Sequence, residues 1–233
     1  MVALAAGGNS VWEVLLRPLF PGDTSLVYEQ ASLAVLLRQH IELVIVSSAL
    51  ATFFGVAIGV AVTRPWGADF HDVANDLANL AQTFPPLAVF ALAIPLLGFG
   101  SGPAILALTI YGILPVLHNT IAGIENLPPD VLDSARGLGL SRNQRLWKVE
   151  LPLAAPVIVA GVRVSVVVNV ATATVAAAAA AGGLGLPIIS GLNTDNPAIT
   201  FQGASMATLL ALTLDGFLGV VGKWLGRRPG RGG

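Results

Sequence analysis

Charged side chains are concentrated in one short stretch of a chain that otherwise carries few of them. Only 11% of the 233 residues are charged, whereas 55% are hydrophobic. Residues 133–152 nevertheless contain Asp133, Arg136, Arg142, Arg145, Lys148 and Glu150. Side chains of both signs at this spacing suit the recognition of a polar surface, because charge complementarity fixes how two partners meet. The charged stretch near the middle of the chain is therefore one candidate for a binding segment.

Side chains for catalysis, metal binding or phosphate binding do not occur at the spacing that these chemistries need. His40, His71 and His118 are too scattered to share a metal ion, and the chain has no cysteine. Gly222-Lys223 lacks the glycine five residues earlier that a phosphate-binding loop requires. We therefore expect no catalytic residue, no metal, no cofactor and no nucleic-acid partner. Any driving reaction must be supplied by another chain.

Long uncharged runs indicate the kind of protein that carries this segment. Residues 77–124, 48 in all, contain no Asp, Glu, Lys or Arg, and the same holds for residues 164–194 and 196–214. A spanning helix needs roughly 20 apolar residues to cross about 30 Å of hydrocarbon. The mean hydropathy is +0.78. The sequence predicts an all-α, polytopic helical membrane protein.

The hydropathy pattern predicts about five transmembrane helices. They are placed at Ile41–Thr63, Leu77–Leu97, Pro103–Leu117, Pro156–Ala178 and Phe201–Gly222. The third is short for a span and follows the turn GFGSGP. Residues 41–222 thus form the membrane domain, with a loop near 123–155, and residues 223–233 form a basic tail. Residues 1–40 are an extracytoplasmic or interfacial segment without a signal peptide, in which residues 25–40 are either an amphipathic helix at the interface or a disordered or half-inserted start.

Basic residues decide the predicted orientation, because cytoplasmic loops carry an excess of Lys and Arg. With the N-terminus outside, only Arg17 and Arg38 of the 12 basic residues lie on the outer side. The other ten lie inside: Arg64, Arg136, Arg142, Arg145, Lys148, Arg163, Lys223, Arg227, Arg228 and Arg231. The predicted topology is N-out and C-in, so the charged segment is a cytoplasmic loop between the third and fourth spans.

Local rules predict two short helices in this loop. The prolines of NLPPDVLDSARG suit a helix start, and Gly137 and Gly139 suit its end. Ser141, with Gln144 three residues later, forms a capping box that begins a second helix. Leu151-Pro152 is expected to turn the chain back into the membrane. The first helix has one apolar face, formed by Val131, Leu132, Ala135 and Leu138. From these residues alone, a solvated connection and a docking surface are both open.

The spacing of the loop resembles the cytoplasmic signature of ABC-importer permeases, described as E-A-A, three residues, Gly, nine residues, then Ile-x-Leu-Pro. The matching positions are Asp133, Ser134, Ala135, Gly139, Val149, Leu151 and Pro152. Aspartate stands for glutamate and serine for alanine at the first two positions, and the spacing is intact. The resemblance implies that the loop is a coupling helix that sits in a groove of an ATPase subunit.

The likeness extends over most of the membrane region. Residues 82–140, 148–163 and 171–192 resemble permeases that import glycine betaine, choline, carnitine or related osmoprotectants. The resemblance implies a type I ABC importer permease in a prokaryotic cell membrane. It also implies two copies of an ABC ATPase, a second permease (identical or a sister chain) and an extracytoplasmic solute-binding protein. Methionine-type permeases share the five-span plan, so a permease for methionine or another small solute is the alternative.

Two polar residues lie within the predicted fourth and fifth spans. An ionisable group inside a membrane is a candidate for proton or ion transfer, so Asp215 leaves open a self-sufficient secondary transporter. Such a transporter would leave the loop signature unexplained. We favour a structural role for Asp215, paired with a basic residue or with lipid headgroups. Asn169 lies deeper and is expected to face a wet cavity or a partner helix.

Small residues form two further groups. Ser47, Ala51, Gly55 and Gly59 recur at every fourth position of the first span, which predicts close helix packing. A second group belongs to the fourth span and the segment after it: Asn169, Thr172, Thr174, Gly182, Gly183 and Gly185. This second group is either a pore lining with a flexible outer gate or a site of tight packing.

The positions of the aromatic residues argue against a tight solute site in this chain. Quaternary ammonium groups are held by clustered Trp, Tyr or Phe rings. Trp66, Trp147 and Trp224 instead lie near the predicted inner interface, as in an aromatic belt. Tyr111 is the only tyrosine in a predicted span. We therefore expect a separate binding protein to select the solute.

Overall fold

Helices joined by short connections make up the part of the chain that the computed structural model describes, residues 8–226. The helices are α1 (Asn9–Leu16), α2 (Leu33–Val62), α3 (His71–Thr83), α4 (Pro86–Leu97), α5 (Ser101–Glu125), α6 (Pro129–Gly137), α7 (Arg142–Arg145), α8 (Leu151–Val175), α9 (Gly185–Asn193) and α10 (Pro197–Gly226). Short 3-10 turns occupy Ala68–Phe70 and Ala176–Ala179, and a π-helical turn occupies Leu146–Glu150. These residues contain no strand, so the all-α prediction is confirmed.

Four helical segments in residues 8–226 are long and apolar enough to cross a membrane: α2, α5, Arg142–Ala179 and α10. The count rises to five if the bent pair Ala68–Thr83 and α4 forms one span. The number of predicted spans is therefore confirmed. Most of the basic tail, residues 227–233, lies outside the described residues, and the N-out orientation stays a prediction from charge.

The second predicted span, Leu77–Leu97, is wrong as a single helix. α3 ends at Thr83, α4 begins at Pro86, and the two segments are bent by 94°. Proline removes a helical hydrogen bond and disfavours helical conformation in the residue before it. Pro85 and Pro86 therefore break the helix. Tyr111 of α5 braces the break, since its hydroxyl donates to the carbonyl oxygen of Phe84.

The third predicted span, Pro103–Leu117, ends too early. α5 contains 25 residues and continues to Glu125. The polar side chains beyond Leu117 are accommodated within the helix because they bond to carbonyl oxygens one turn earlier, which satisfies their own hydrogen-bonding groups. Asn119 Nδ2 donates to the carbonyl of Pro115 at 2.8 Å, and Thr120 Oγ1 donates to that of Val116 at 2.7 Å. The expectation of a short span is therefore wrong.

Residues 25–40 do not form a separate interfacial helix, which was one of the two predicted alternatives; residues 33–40 instead belong to the first membrane-crossing helix. α2 begins at Leu33 and runs without interruption into the first span. The residues before it are held by partners far away in the sequence. Tyr28 is buried, and its N–H donates to Gln202 Oε1 of α10 at 2.9 Å. Long-range contacts of this kind leave no periodic pattern in the sequence.

α5 lies at the centre of the bundle, packed between α2 and α8, and α10 packs on the far side of α8. The stripe of small residues on α2 is buried along its whole length. A Cβ atom added at Gly55 would lie 2.7 Å from Val116 Cβ, and one at Gly59 would lie 2.8 Å from Thr120 Cβ. The prediction of close packing is confirmed, and the partner of the stripe is α5.

Gly112→Ala is expected to destabilise the protein, because Gly112 is where α5 comes nearest to two other helices. An added Cβ would lie 2.7 Å from Ser165 Oγ and 2.8 Å from Ala51 Cβ. Overpacking of this kind typically costs about 1–3 kcal/mol. Thermal unfolding in detergent measures the effect. Gly102→Ala is the control, since its Cβ would meet no heavy atom closer than 3.7 Å. Equal unfolding temperatures for the two variants would contradict the prediction.

Candidate functional site

The loop between α5 and α8 contains the predicted glycine bend. Gly139 adopts a left-handed conformation with φ of +74°. Two hydrogen bonds close the end of α6: Leu140 N–H donates to the carbonyl of Ala135 at 3.2 Å, and Gly139 N–H donates to that of Arg136 at 2.9 Å. This pair of bonds is a Schellman cap, in which glycine takes the left-handed position at low cost. The predicted end of the first loop helix is confirmed.

The second loop helix begins with the predicted capping box. Ser141 Oγ accepts from the Gln144 N–H at 3.3 Å, and Gln144 Oε1 accepts from the Ser141 N–H at 2.9 Å. The helix then continues through the π-helical turn into α8. The expectation that Leu151-Pro152 turns the chain is therefore wrong. Pro152 lies in the first turn of α8, where a missing N–H is tolerated.

The residues that match the loop signature occupy two successive elements. Asp133, Ser134 and Ala135 lie on α6, and Gly139 follows its end. Val149, Leu151 and Pro152 lie in the π-helical turn and the start of α8. Ala135 is buried at 4% exposure, whereas Asp133, Ser134 and Gly139 are exposed. The predicted apolar face is divided, because Leu138 remains 80% exposed.

Glu150 lies at the centre of a buried ion cluster that sequence reasoning missed. Its side chain is 4% exposed. Arg145 Nε donates to Glu150 Oε1 at 2.8 Å, and Arg64 Nη2 lies 2.7 Å from Glu150 Oε2. A buried carboxylate is tolerated when it is paired with opposite charge. A glutamate directly before an apolar helix was the available signal, but Arg64 follows α2 and no local pattern links the two.

At the opposite end of α8, the segment after the 3-10 turn is bonded to the start of α2. Gly183 N–H donates to Gln39 Oε1 at 3.0 Å, and Leu184 N–H donates to His40 Nδ1 at 3.2 Å. His40 is fully buried, and its Nε2 lies 3.1 Å from the carbonyl oxygen of Val170. Because Nδ1 accepts a hydrogen bond, the proton is on Nε2 and the ring is neutral. Sequence reasoning considered His40 only as a metal ligand.

The glycines of this segment, which we call the outer glycine loop (residues 180–185), fit tightly against their neighbours. Gly182 has φ of +77°, and a Cβ there would lie 2.5 Å from Gln39 Oε1. A Cβ at Gly185 would lie 1.8 Å from the carbonyl oxygen of Thr174. Thr174, Gly182, Gly183 and Gly185 therefore meet at one end of the bundle. Thr172 is half-buried in α8. A gating role for these residues stays a prediction.

Asn169 belongs to a different contact, in the middle of the bundle. Its side chain is fully buried. Asn169 Nδ2 donates to Ser47 Oγ at 3.2 Å and to Ser48 Oγ at 2.9 Å. Asn169 was expected to face either a wet cavity or a partner helix. The structure shows the partner helix, which is α2.

Asp215 of α10 forms a two-point ion pair with Arg163 of α8. Arg163 Nε donates to Oδ1 at 3.0 Å, and Nη2 donates to Oδ2 at 2.9 Å. The pair lies in a groove of about 540 Å³ with largely apolar walls, including Val164 and Leu212. The favoured expectation that Asp215 pairs with a basic residue is confirmed. No group of three His, Cys, Asp or Glu side chains in the described part of the chain is placed to hold a metal ion.

A bundle of membrane-crossing helices with one structured, partly exposed loop at its end defines a transport protein of the permease class. The sequence matches a known family over residues 39–229, described as the binding-protein-dependent transport system inner membrane component. The chain belongs to this family. It is a multi-pass inner-membrane protein and a transport subunit rather than an enzyme.

Named relatives cover most of the chain. The osmoprotectant import permease protein OsmY of Salmonella typhimurium is 36% identical over 224 residues, which cover 95% of this chain and 93% of the relative. The glycine betaine/carnitine/choline transport system permease protein OpuCB of Bacillus subtilis is 39% identical over 183 residues, covering 78% of this chain and 83% of the relative. A chain of the inward-facing MetNI methionine ABC transporter superposes with a TM-score of 0.75 at 20% identity, covering 84% of this chain and 96% of that one. At this identity, the superposition shows a shared fold alone.

Proposed function

We propose that this chain is the permease subunit of an ABC importer for a compatible solute. The solute would be glycine betaine, choline, carnitine or a similar quaternary amine. The observation that carries this proposal is the similarity to permeases with those names, at 36% and 39% identity over most of the chain. Methionine is the alternative solute, and the fold shared with the methionine transporter does not favour it, because solutes differ among proteins of one fold.

The loop of residues 129–152 is the proposed docking site for the ATPase. The surface of α6 and its C-terminal end expose Asp133, Ser134, Leu138 and Gly139, whereas Ala135 of the same helix is buried. α7 and the π-helical turn then connect this surface directly to α8. A force applied to α6 would therefore reach a membrane helix without crossing a flexible linker. Two ATPase copies would dock on two permeases, which are either identical or sister chains.

The outer glycine loop is the proposed gate on the extracytoplasmic side, where a solute-binding protein would deliver its cargo. Two observations support this role. Gly182 and Gly183 have positive φ angles, and the loop is fastened to α2 by hydrogen bonds of Gln39 and His40. Thr172, Thr174 and Gly185 would line the neighbouring surface, and Asn169 would hold α8 to α2.

Uptake in reconstituted vesicles tests this function. Transport of labelled glycine betaine, choline or carnitine is expected only when the cognate ATPase, ATP and binding protein are all present. Tyr111→Phe is expected to change the apparent affinity only modestly, because Tyr111 is 6% exposed and its hydroxyl is bonded to Phe84. Uptake of methionine in place of these amines would support the alternative. Tight betaine binding to the isolated permease, measured by calorimetry, would contradict selection by the binding protein.

A further inference from the structure

Glu150 connects two parts of the chain that are far apart in sequence. Arg145 belongs to the same loop as Glu150, in the short helix directly before the π-helical turn. Arg64 instead follows the end of α2, the first membrane-crossing helix. Both arginine side chains are largely buried, at 15% and 16% exposure. The carboxylate therefore makes one ion pair within the loop and a second ion pair to another membrane helix.

The helix is irregular at the position of this cluster. Leu151 N–H donates to the carbonyl oxygen of Leu146, one residue further back than in an α-helix. Pro152 follows and has no N–H to donate. Isolated π-helical turns inside α-helices are rare and frequently mark functional sites. The π-helical turn keeps the loop continuous with α8, and the ion pair of Glu150 with Arg64 adds a contact to the end of α2 that the backbone cannot supply.

We propose that Glu150 is a positioning residue that fastens the ATPase-docking loop to the inner end of α2 through Arg64. Movement of the loop then acts on α2 and α8 together rather than on α8 alone. This inference rests on the proposed function of the loop. The Arg64–Glu150 contact carries the connection between the two helices, whereas the Arg145–Glu150 contact lies within the loop and only shapes it.

The two arginines provide a matched comparison, because they are equally buried and share one carboxylate. The chain has no cysteine, so Trp66→Cys, two residues after Arg64 and 73% exposed in the wild type, introduces a unique thiol. The rate at which a maleimide modifies this thiol is measured in the complex with the ATPase, with and without ATP. In that background, Arg64→Gln is expected to abolish the ATP-dependent change in rate, and Arg145→Gln is expected to retain it.

Coupled transport provides the second measurement. Arg64→Gln is expected to lower solute uptake per ATP hydrolysed by about tenfold, a size typical of coupling between sites. Arg145→Gln is expected to have a clearly smaller effect. If the two arginines only neutralise the buried carboxylate, Arg64→Gln and Arg145→Gln should lower uptake per ATP hydrolysed equally. Equal effects would therefore overturn the proposal. Glu42→Gln is the control, since it removes an exposed ion pair with Arg38 near the other end of α2.

Membrane insertion is checked for every variant by the yield of folded protein. If Arg64→Gln does not insert, Arg64→Lys and Arg145→Lys repeat the comparison with the charge retained, and the same order of effects is expected. If the wild-type permease does not bind the ATPase, the proposed function and this inference are both overturned. A wild-type complex that transports, combined with equal effects at Arg64 and Arg145, would overturn this inference alone.

Discussion

Gly139→Phe is expected to abolish coupled transport while leaving the protein inserted in the membrane. Gly139 has φ of +74°, and an L-residue in the left-handed region costs about 1–2 kcal/mol. No heavy atom lies within 4 Å of an added Cβ, so the phenyl ring would point into open space beside α6. In the complex, the ATPase is proposed to occupy that space. Copurification of the ATPase, ATPase activity stimulated by loaded binding protein, and solute uptake are measured together.

Variants of neighbouring positions separate the possible causes. Gly137→Ala is the control, since Gly137 is helical, equally uncrowded and outside the left-handed region. It is expected to behave like the wild type. Ala135→Arg places a charge at a buried position of the same helix and is expected to match Gly139→Phe in its loss of transport. Normal ATPase stimulation and normal uptake in both Gly139→Phe and Ala135→Arg would mean that this loop does not couple the two proteins.

Asp215→Asn is expected to lower the amount of assembled permease. Solute uptake is expected to fall by at least the same factor. The substitution leaves Arg163, which is 37% exposed in a groove with largely apolar walls, without its charged partner, and an unpaired charge is disfavoured at membrane depth. The double replacement Arg163→Met with Asp215→Leu removes both charges and fills the groove with apolar atoms. It is expected to recover assembly and ATP-driven uptake, because a pair of charges can often be exchanged for well-packed apolar residues.

The double replacement also decides between two mechanisms. A secondary transporter that carries protons on Asp215 would stay inactive after both charges are removed, and its uptake would follow an ion gradient without ATP. Gradient-driven uptake by the wild type in the absence of ATPase would therefore contradict the proposed function. Removal of the exposed Arg38–Glu42 pair is the matched control, and we expect it to change neither assembly nor transport.

Local rules predicted the two short helices of the loop between α5 and α8, because their ends depend on residues close together in sequence. Pro128 and Pro129 begin α6, Gly139 ends it, and Ser141 with Gln144 begins α7, as the sequence indicates. The membrane class and the number of spans followed from hydropathy. The break at Pro85-Pro86 was missed, although the two prolines signal it, because the apolar run around them is long enough to mask it.

Contacts between distant residues could not be predicted. The partners of Glu150, His40 and Asn169 depend on which helices become neighbours. The arrangement of neighbouring helices cannot be inferred from a single sequence. Arg64 and Arg145 were counted only as basic residues on the inner side, although both are paired with one glutamate. The sites missed in the sequence are therefore those where polar side chains join different helices. The predictions that identified particular partners lie within a single loop, whereas the pairing of Asp215 with a basic residue was predicted without identifying Arg163.

The helical path from Arg142 to Ala179 is unusually long for a membrane protein of this size. Its 38 residues would extend over about 57 Å at about 1.5 Å per residue, nearly twice the hydrocarbon thickness of about 30 Å. Gly161 lies at its midpoint, pressed against α5 so closely that a Cβ would meet the Pro115 carbonyl oxygen at 2.5 Å. A rod of this length that tilts about 5° around its midpoint moves its two ends by about 2.5 Å in opposite directions. If the segment tilted as one body, the close contact at Gly161 would act as its pivot, and its two ends would move in opposite directions on the two sides of the membrane.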